Sequence, residues 1–193
     1  MTIAKKSFKS TPFFAVLILV IIALSSGLIL SVLSDVLYVS DEEKTNRDLA
    51  KVYTSDSFTA IEIDSSAISA EGNILYLYQA ADGAVVIKAS GIKGWKGVTE
   101  IVLAVKDGEI VNAIISSHNG DDKTSSIKAS HLQQMFVGQK LDGNLEFTTT
   151  GTVGGGTLIT AAPSCYATWP AVISAANVAV DYLQTKNLTG GAN

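Results

Sequence analysis

The sequence predicts an α+β protein: one N-terminal transmembrane helix, then a small domain with an antiparallel sheet and a C-terminal helix. The first observation is an uncharged apolar run from Phe13 to Ser34. The second is a series of short segments with alternating apolar residues, separated by Asp-Gly turn signals. The third is a set of apolar residues at helical spacing after Pro170.

The apolar run has the length of a membrane anchor. As a helix its 22 residues span about 33 Å, and a bilayer core is about 30 Å thick. A cleaved signal sequence is the alternative, but its apolar stretch is usually shorter. Three lysines (Lys5, Lys6 and Lys9) precede the run, and four acidic residues follow it by position 43. The positive-inside rule therefore predicts a single-pass cell-membrane protein with a cytoplasmic N-terminus and an extracytoplasmic body.

Composition excludes several classes of function. The chain of 193 residues has a net charge of −4, which disfavours nucleic-acid binding. A single cysteine, Cys165, excludes an intramolecular disulfide framework and a cysteine-based zinc site. Beyond residue 12 the chain has 11 basic and 18 acidic residues, so the formal charge of the body is −7. Such a body has no electrostatic attraction to anionic lipid.

The predicted organisation is residues 1–12 in the cytoplasm, 13–34 in the membrane, 35–57 as a membrane-proximal stalk and 58–193 as the extracytoplasmic domain. Within the stalk, residues 41–56 form an amphipathic pattern with Leu49, Val52 and Tyr53 on one side. The predicted strands are 58–63, 74–78, 84–90, 100–105, 109–117, 145–150 and 158–162, with hairpin turns at Asp82-Gly83 and Asp107-Gly108.

Two helices are predicted between and after these strands. Residues 128–137 place Leu132, Met135 and Phe136 on one face. The last helix has Pro170 in its first turn and Thr168 as N-cap, and it continues through Leu183. The glycine-rich segment 150–157 is expected to be a flexible loop.

Metal and hydrolase chemistry have little support in the sequence. The two histidines, His118 and His131, do not have a metal-ligand spacing, and Asp121 and Asp122 fit a solvated loop better than a divalent-cation site. No G-x-S-x-G elbow supports a serine nucleophile. Gly154–Gly156 could hold a phosphate, but no Lys-Ser/Thr pair follows as in a P-loop.

The C-terminal stretch ITAAPSCYATWPAVISAANVAVDYL, residues 159–183, resembles the end of the FMN-binding domain of the Rnf complex G subunit and the Na⁺-translocating NADH:quinone reductase C subunit. Residues 82–118 are similar to the glycine-rich turn and central hairpin of that domain, and 136–141 to the segment after its middle helix. The matching tail positions are Thr168, Ala171, Val172, Ala175, Asn177, Ala179, Tyr182 and Leu183.

The resemblance implies a membrane-anchored electron-transfer subunit of an ion-translocating redox complex, not an enzyme acting alone. It would carry FMN and have other integral membrane subunits and the lipid bilayer as partners. The tail match and the surviving histidine of the family's flavin loop imply the cofactor-binding residues, and the aromatic rings of Trp95, Tyr166 and Trp169 suit flavin stacking. These cofactor-binding residues are His118, Ser164, Cys165, Tyr166, Thr168 and Trp169.

The chain departs from the family at the attachment motif. The family's Ser-Gly-Ala-Thr aligns with residues 163–166, so Tyr166 replaces the threonine that carries FMN through a phosphoester. Thr160 replaces the upstream Asp, and a shifted alignment would place Thr168 on the acceptor. FMN is therefore expected to be non-covalent or absent. A phosphate at the start of the last helix would still meet free N–H groups.

Four alternatives remain open from the residues. The chain could be a flavin-free accessory or structural subunit that keeps the fold, or a sensor module unrelated to redox chemistry. The aromatic residues Tyr166 and Trp169 could simply pack the last helix onto the sheet. Cys165 could be a small buried apolar residue instead of a reactive thiol.

Overall fold

A computed structural model describes residues 12–37, 40–92, 97–119, 127–141, 146–148, 151–153, 168–188 and 190. The chain divides into two compact units, 1–44 and 45–193, and the division falls inside the second helix. In the first unit, helix α1 (Pro12–Leu37) is long and apolar enough over Pro12–Ser34 to cross a membrane. This criterion is one of length and composition, and a signal sequence also meets it.

The second unit is an α+β domain, as predicted. Its described strands form an antiparallel sheet of six in the order β1-β3-β4-β5-β6, with β2 also paired to β3. Helix α3 (Ala129–Phe136) packs on β6, and helix α4 (Trp169–Thr185) packs on β3, β4 and β5. The strands are β1 (Phe58–Ala60), β2 (Ile68–Ser69), β3 (Gly72–Ala80), β4 (Val85–Gly91), β5 (Thr99–Lys106), β6 (Glu109–His118), β7 (Glu146–Thr148) and β8 (Gly151–Val153).

The two predicted hairpins are confirmed. Strands β5 and β6 meet at a two-residue turn in which Asp107 has a φ of 52° and Gly108 a φ of 76°. Positive φ at both turn positions is the type I′ geometry, which matches the right-handed twist of the strands. In the β3–β4 hairpin, Gly83 has a φ of 85° and the Ala80 N–H donates to the Ala84 carbonyl.

Helix α2 (Asp41–Val52) has the predicted amphipathic pattern. Leu49 and Val52 are buried against Val86, Val102 and Ala104, which alternate along β4 and β5. The intervening residues of these strands face α4, because successive side chains of a strand point to opposite sides. Strands β4 and β5 are therefore covered on both faces within the described part of the domain.

The sequence is less accurate around β7 and β8. Residues 151–153 form a strand paired to β7, so the prediction of a flexible loop is wrong there. Strand β7 covers 146–148 of the predicted strand 145–150, and the other residues of that prediction lie outside the described ones. Strand β1 covers only the first half of 58–63. The predicted strand 158–162 and the rest of the glycine-rich segment lie outside the described residues.

Candidate functional site

One end of the sheet holds His118 and is contacted by the start of α4, the helix that begins at Trp169. Gly91 at the end of β4 pairs with Thr99 of β5, and Thr99 pairs with His118 at the end of β6. A Cβ built on Gly91 would lie 2.2 Å from the Ala171 carbonyl oxygen in the first turn of α4. The start of α4 therefore contacts the same row of residues that ends in His118. We call this part of the domain the site end of the sheet.

His118 is held by a buried hydroxyl. Its Nδ1 lies 2.7 Å from Thr99 Oγ1, and Thr99 is fully buried. Within the described chain, His118 Nε2 is buried and has no hydrogen-bond partner. The tautomer of the imidazole ring decides what Nε2 can do. If the Thr99 hydroxyl donates to Nδ1, Nε2 carries the ring proton and is a donor; if Nδ1 carries the proton and donates to Thr99, Nε2 is an acceptor.

Trp169 opens α4 and lies in the hydrophobic core, as the packing interpretation predicts. Its side chain is 1% exposed, yet its Nε1 has no hydrogen-bond partner among the described residues. A buried indole N–H normally has an acceptor. The site end therefore holds two buried ring nitrogens, His118 Nε2 and Trp169 Nε1, without a described hydrogen-bond partner.

The backbone amides at the start of α4 are already engaged. Thr168 occupies the predicted N-cap position, but it has helical dihedral angles and its side chain makes no capping bond. The N–H groups of Ala171 and Val172 both donate to the Thr168 carbonyl, at 3.0 and 3.2 Å. Pro170 has no N–H to offer. These described residues therefore leave little of the anion-binding capacity expected at a helix N-terminus.

Several predicted site residues fall in the parts of the chain that the structure does not describe. Ser164, Cys165 and Tyr166 lie outside the described residues, as do Trp95 and Gly154–Gly156. The predicted cofactor-binding residues that the structure describes are His118, Thr168 and Trp169. All three lie at the site end, and Thr168 is fully buried.

Asn177 explains one position of the sequence resemblance in structural terms. Its side-chain Oδ1 accepts from the Phe147 N–H and its Nδ2 donates to the Phe147 carbonyl, both at 2.7 Å. This pair of bonds fastens β7 to the middle of α4, where Phe147 packs edge-on against Phe136. An amide is the side chain that can donate and accept in this way.

The opposite face of the sheet holds a buried polar cluster that the sequence analysis missed. Lys88 Nζ lies 3.1 Å from Asp48 Oδ2, 2.9 Å from Glu100 Oε2 and 2.8 Å from Ser116 Oγ. The Ser116 hydroxyl in turn donates to Asp48. Lys88 and Asp48 are 12% and 9% exposed, so the pair is largely desolvated. A lysine inside the apolar strand AVVIKAS was the available signal.

Two tyrosines border this cluster. Lys88 Nζ lies 5.6 Å from the ring centroid of Tyr76, which packs edge-on against Tyr78. The Tyr76 hydroxyl is buried without a described partner, and burial raises the pKa of Tyr76 above its usual value. The three hydrogens of the Lys88 ammonium have three acceptors, so this lysine has no free donor for a ligand.

Other features give no second site within the described chain. A depression of about 180 Å³ between α2 and β1 is lined by side chains that include Leu49, Tyr53 and Phe58. It is smaller than the roughly 300–1,000 Å³ of most small-molecule sites. No group of three or more metal-ligating side chains occurs among the described residues.

Comparison of the chain with known protein families, curated proteins and solved structures finds no match. The class of the protein therefore rests on its α+β fold with one N-terminal apolar helix. The resemblance to FMN-binding domains stays a prediction from the sequence.

Proposed function

We propose that the chain is a membrane-anchored electron-transfer subunit of a redox complex, with a non-covalently bound FMN at the site end of the sheet. The observation that carries the proposal is the pair of buried, unpartnered ring nitrogens, His118 Nε2 and Trp169 Nε1. Buried polar groups are nearly always hydrogen-bonded, so two orphans at one end of a domain call for a polar ligand. The sequence resemblance of residues 82–118 and 159–183 supports FMN as that ligand.

The two ring nitrogens offer hydrogen-bonding groups for a flavin ring, whereas the described α4 amides offer few for its phosphate. The ring nitrogens of His118 and Trp169 would hydrogen-bond the carbonyl and nitrogen atoms of that ring. Because Ala171 and Val172 already donate to Thr168, the phosphate would not rest on their amides. Bound FMN would supply one- and two-electron transfer, and the protein would set its orientation and potential.

We propose non-covalent binding because the chain lacks an accessible threonine for FMN attachment at the expected positions. Tyr166 occupies the position of the family's flavin-bearing threonine. Thr168, the alternative acceptor, is fully buried at the start of α4. A hydroxyl that must reach a flavin transferase needs access that this position lacks.

A flavin-free accessory subunit is the second candidate function. It is favoured by the 1% exposure of Trp169, which fills the core at the site end, and by the engaged amides of α4. In that case the helix and domain would bind the complex without carrying electrons. In both candidates the partners are other integral membrane subunits and the bilayer, with the domain outside the cytoplasm.

An absorbance spectrum separates the candidates. The full-length chain is coexpressed with a flavin transferase and with its membrane partners, purified, and measured before and after acid precipitation. The proposal predicts a flavin spectrum that moves to the supernatant. Colour that stays with the pellet means covalent attachment, and a Thr168→Ala variant then tests the shifted alignment. A folded, colourless protein contradicts the electron-transfer proposal and supports the accessory subunit.

A further inference from the structure

A β-bulge in β6 decides which face of the sheet His118 lies on. Ile101 of β5 pairs with Ile115 of β6, and both pack in the core that α4 covers. Two residues back along β5, Thr99 pairs with His118, which lies three residues beyond Ile115. Because side chains alternate between the faces, His118 would face away from α4 without the extra residue of the bulge. With it, Thr99 and His118 lie together on the α4 face.

Among the described residues, the hydroxyl of Thr99 has a single hydrogen-bond partner. Its Oγ1 lies 2.7 Å from His118 Nδ1, and the residue is fully buried. A hydroxyl has one proton to donate, and the acceptor it meets here is Nδ1. The two possible directions of this bond therefore differ in how many buried groups they leave without a partner.

One tautomer of His118 leaves fewer buried groups unsatisfied. If the Thr99 hydroxyl donates to Nδ1, only the Nε2–H of the histidine lacks a partner. If Nδ1–H donates to Thr99 instead, the hydroxyl proton and the Nε2 lone pair both lack one. Each buried polar group without a partner costs stability, so the first arrangement is favoured. A ligand acceptor at Nε2 completes the first arrangement, whereas no ligand at Nε2 satisfies the hydroxyl in the second.

Trp169 adds a donor of the same kind at the site end. An indole Nε1–H donates and cannot accept, and that of Trp169 is buried without a partner in the described part of the chain. Trp169 opens α4, whose first turn contacts Gly91. Gly91 pairs with Thr99, so the helix start and the Thr99–His118 pair belong to one row of the α4 face.

We infer that Thr99 is a positioning residue that fixes His118 as its Nε2–H tautomer, so that the site end presents two N–H donors and selects a ligand by its acceptor atoms. Such a ligand is a heterocycle with carbonyl oxygens or unprotonated ring nitrogens. A ligand N–H placed against either donor would leave two buried donors facing each other, which disfavours it. The tautomer follows from Thr99 alone, whereas the assignment of the acceptors to a flavin rests on the proposed function.

The tautomer is measured on the flavin-free, full-length chain in detergent micelles. A His131→Gln background leaves His118 as the single histidine. Its ring nitrogens are observed by long-range proton–nitrogen NMR correlation at about pH 8.5, where imidazole is neutral. We expect a protonated Nε2, an unprotonated Nδ1 and no averaging between tautomers. Thr99→Val, which keeps the shape and removes the hydroxyl, should bring both nitrogens to averaged shifts, and the Thr99→Ser control should keep the parent pattern.

Two results would overturn the inference. A protonated Nδ1 in the parent means that His118 donates to Thr99 and that Nε2 is an acceptor. An unchanged Nε2–H tautomer in a folded Thr99→Val variant means that the hydroxyl does not select it. The parent spectrum should also show the Thr99 hydroxyl proton correlated with Nδ1 across the hydrogen bond, which identifies the donor even if Thr99→Val does not fold.

Addition of FMN separates this inference from the proposed function. When FMN binds, the N–H resonances of His118 Nε2 and Trp169 Nε1 should both shift, and the Kd for FMN should rise about ten-fold in Thr99→Val. No change at either resonance, with His118 in the Nε2–H form, supports the donor assignment and counts against flavin as the ligand. Equally tight FMN binding by the parent and Thr99→Val contradicts ligand selection by the fixed tautomer.

Discussion

Replacing Lys88 by methionine should destabilise the domain more than any exposed charge change. Methionine keeps most of the volume but removes the ammonium that bonds Asp48, Glu100 and Ser116. Two carboxylates then share a site in which Asp48 is 9% and Glu100 27% exposed. They lose their counter-charge, and burial prevents water from replacing it.

The magnitude follows from the desolvation of the cluster. Removing one partner of a buried ion pair typically costs about 3–5 kcal/mol, because the remaining charge is left uncompensated. That is a large share of the roughly 5–15 kcal/mol by which whole domains are stable. The matched control is Lys106→Met. Lys106 bonds Asp82 at 2.6 Å, but the two side chains are 37% and 42% exposed, and an exposed pair is worth only about 0–1 kcal/mol.

The assay is urea unfolding of the full-length chain in detergent micelles, followed by near-ultraviolet circular dichroism. The Lys88→Met variant should lose several times more stability than Lys106→Met. An Asp48→Leu/Lys88→Met double variant should recover much of the loss, since apolar pairs often replace buried ion pairs without cost. Equal losses for the two single variants would refute the reasoning that Lys88 is desolvated.

Three further predictions concern packing, hydrogen bonding and pH. Gly91→Ala should cost about 3 kcal/mol in urea unfolding, because its Cβ would meet the α4 backbone at 2.2 and 2.4 Å. Asn177→Leu should cost about 2 kcal/mol and accelerate hydrogen exchange at the Phe147 amide, which donates to the Asn177 side chain. The hydrogen bond from Lys186 lowers the pKa of Asp64 from 3.8 to about 2. This pair therefore stabilises the fold above pH 3.8 and loses that contribution as the pH falls towards 2. In the Lys186→Met variant, the midpoint temperature of thermal unfolding should depend less on pH over that range.

Each of these predictions has an outcome that contradicts it. A Gly91→Ala variant as stable as the parent would mean that α4 does not approach β4 closely. Unchanged exchange at the Phe147 amide in Asn177→Leu would mean that another group holds β7. An NMR titration of Asp64 near 3.8 in the parent chain would show that the Lys186 bond does not form in solution.

The sequence predicts the regular elements well where a local pattern determines them. The Asp107-Gly108 turn requires positive φ at two positions, and that residue pair adopts it readily. The amphipathic faces of α2 and α3 follow from spacing alone, and Leu49, Val52 and Leu132 are buried as expected. The strand at 151–153 was missed because its glycine-rich sequence has little intrinsic strand preference, and pairing with β7 decides its structure.

The candidate site is harder to predict because it depends on non-local contacts. Nothing near His118 in the sequence indicates that Thr99 forms a hydrogen bond with its Nδ1, because the register of the β-sheet brings the two residues together. Engagement of the α4 amides by Thr168 depends on dihedral angles that a Thr-Trp-Pro sequence does not specify. Likewise, the Asp48–Lys88 pair joins residues 40 positions apart, and only the docking of α2 on the sheet creates it.

Flavin content per chain is the most direct test of the proposal that this chain binds FMN at the site end of the sheet. The tagged full-length protein is purified with its membrane partners, extracted with acid, and compared with His118→Ala and with the His131→Ala control on helix α3. We expect about one acid-extractable FMN per chain in the parent and the control and a clear loss in His118→Ala. The same flavin content in all three, or none in the parent, would contradict the proposal.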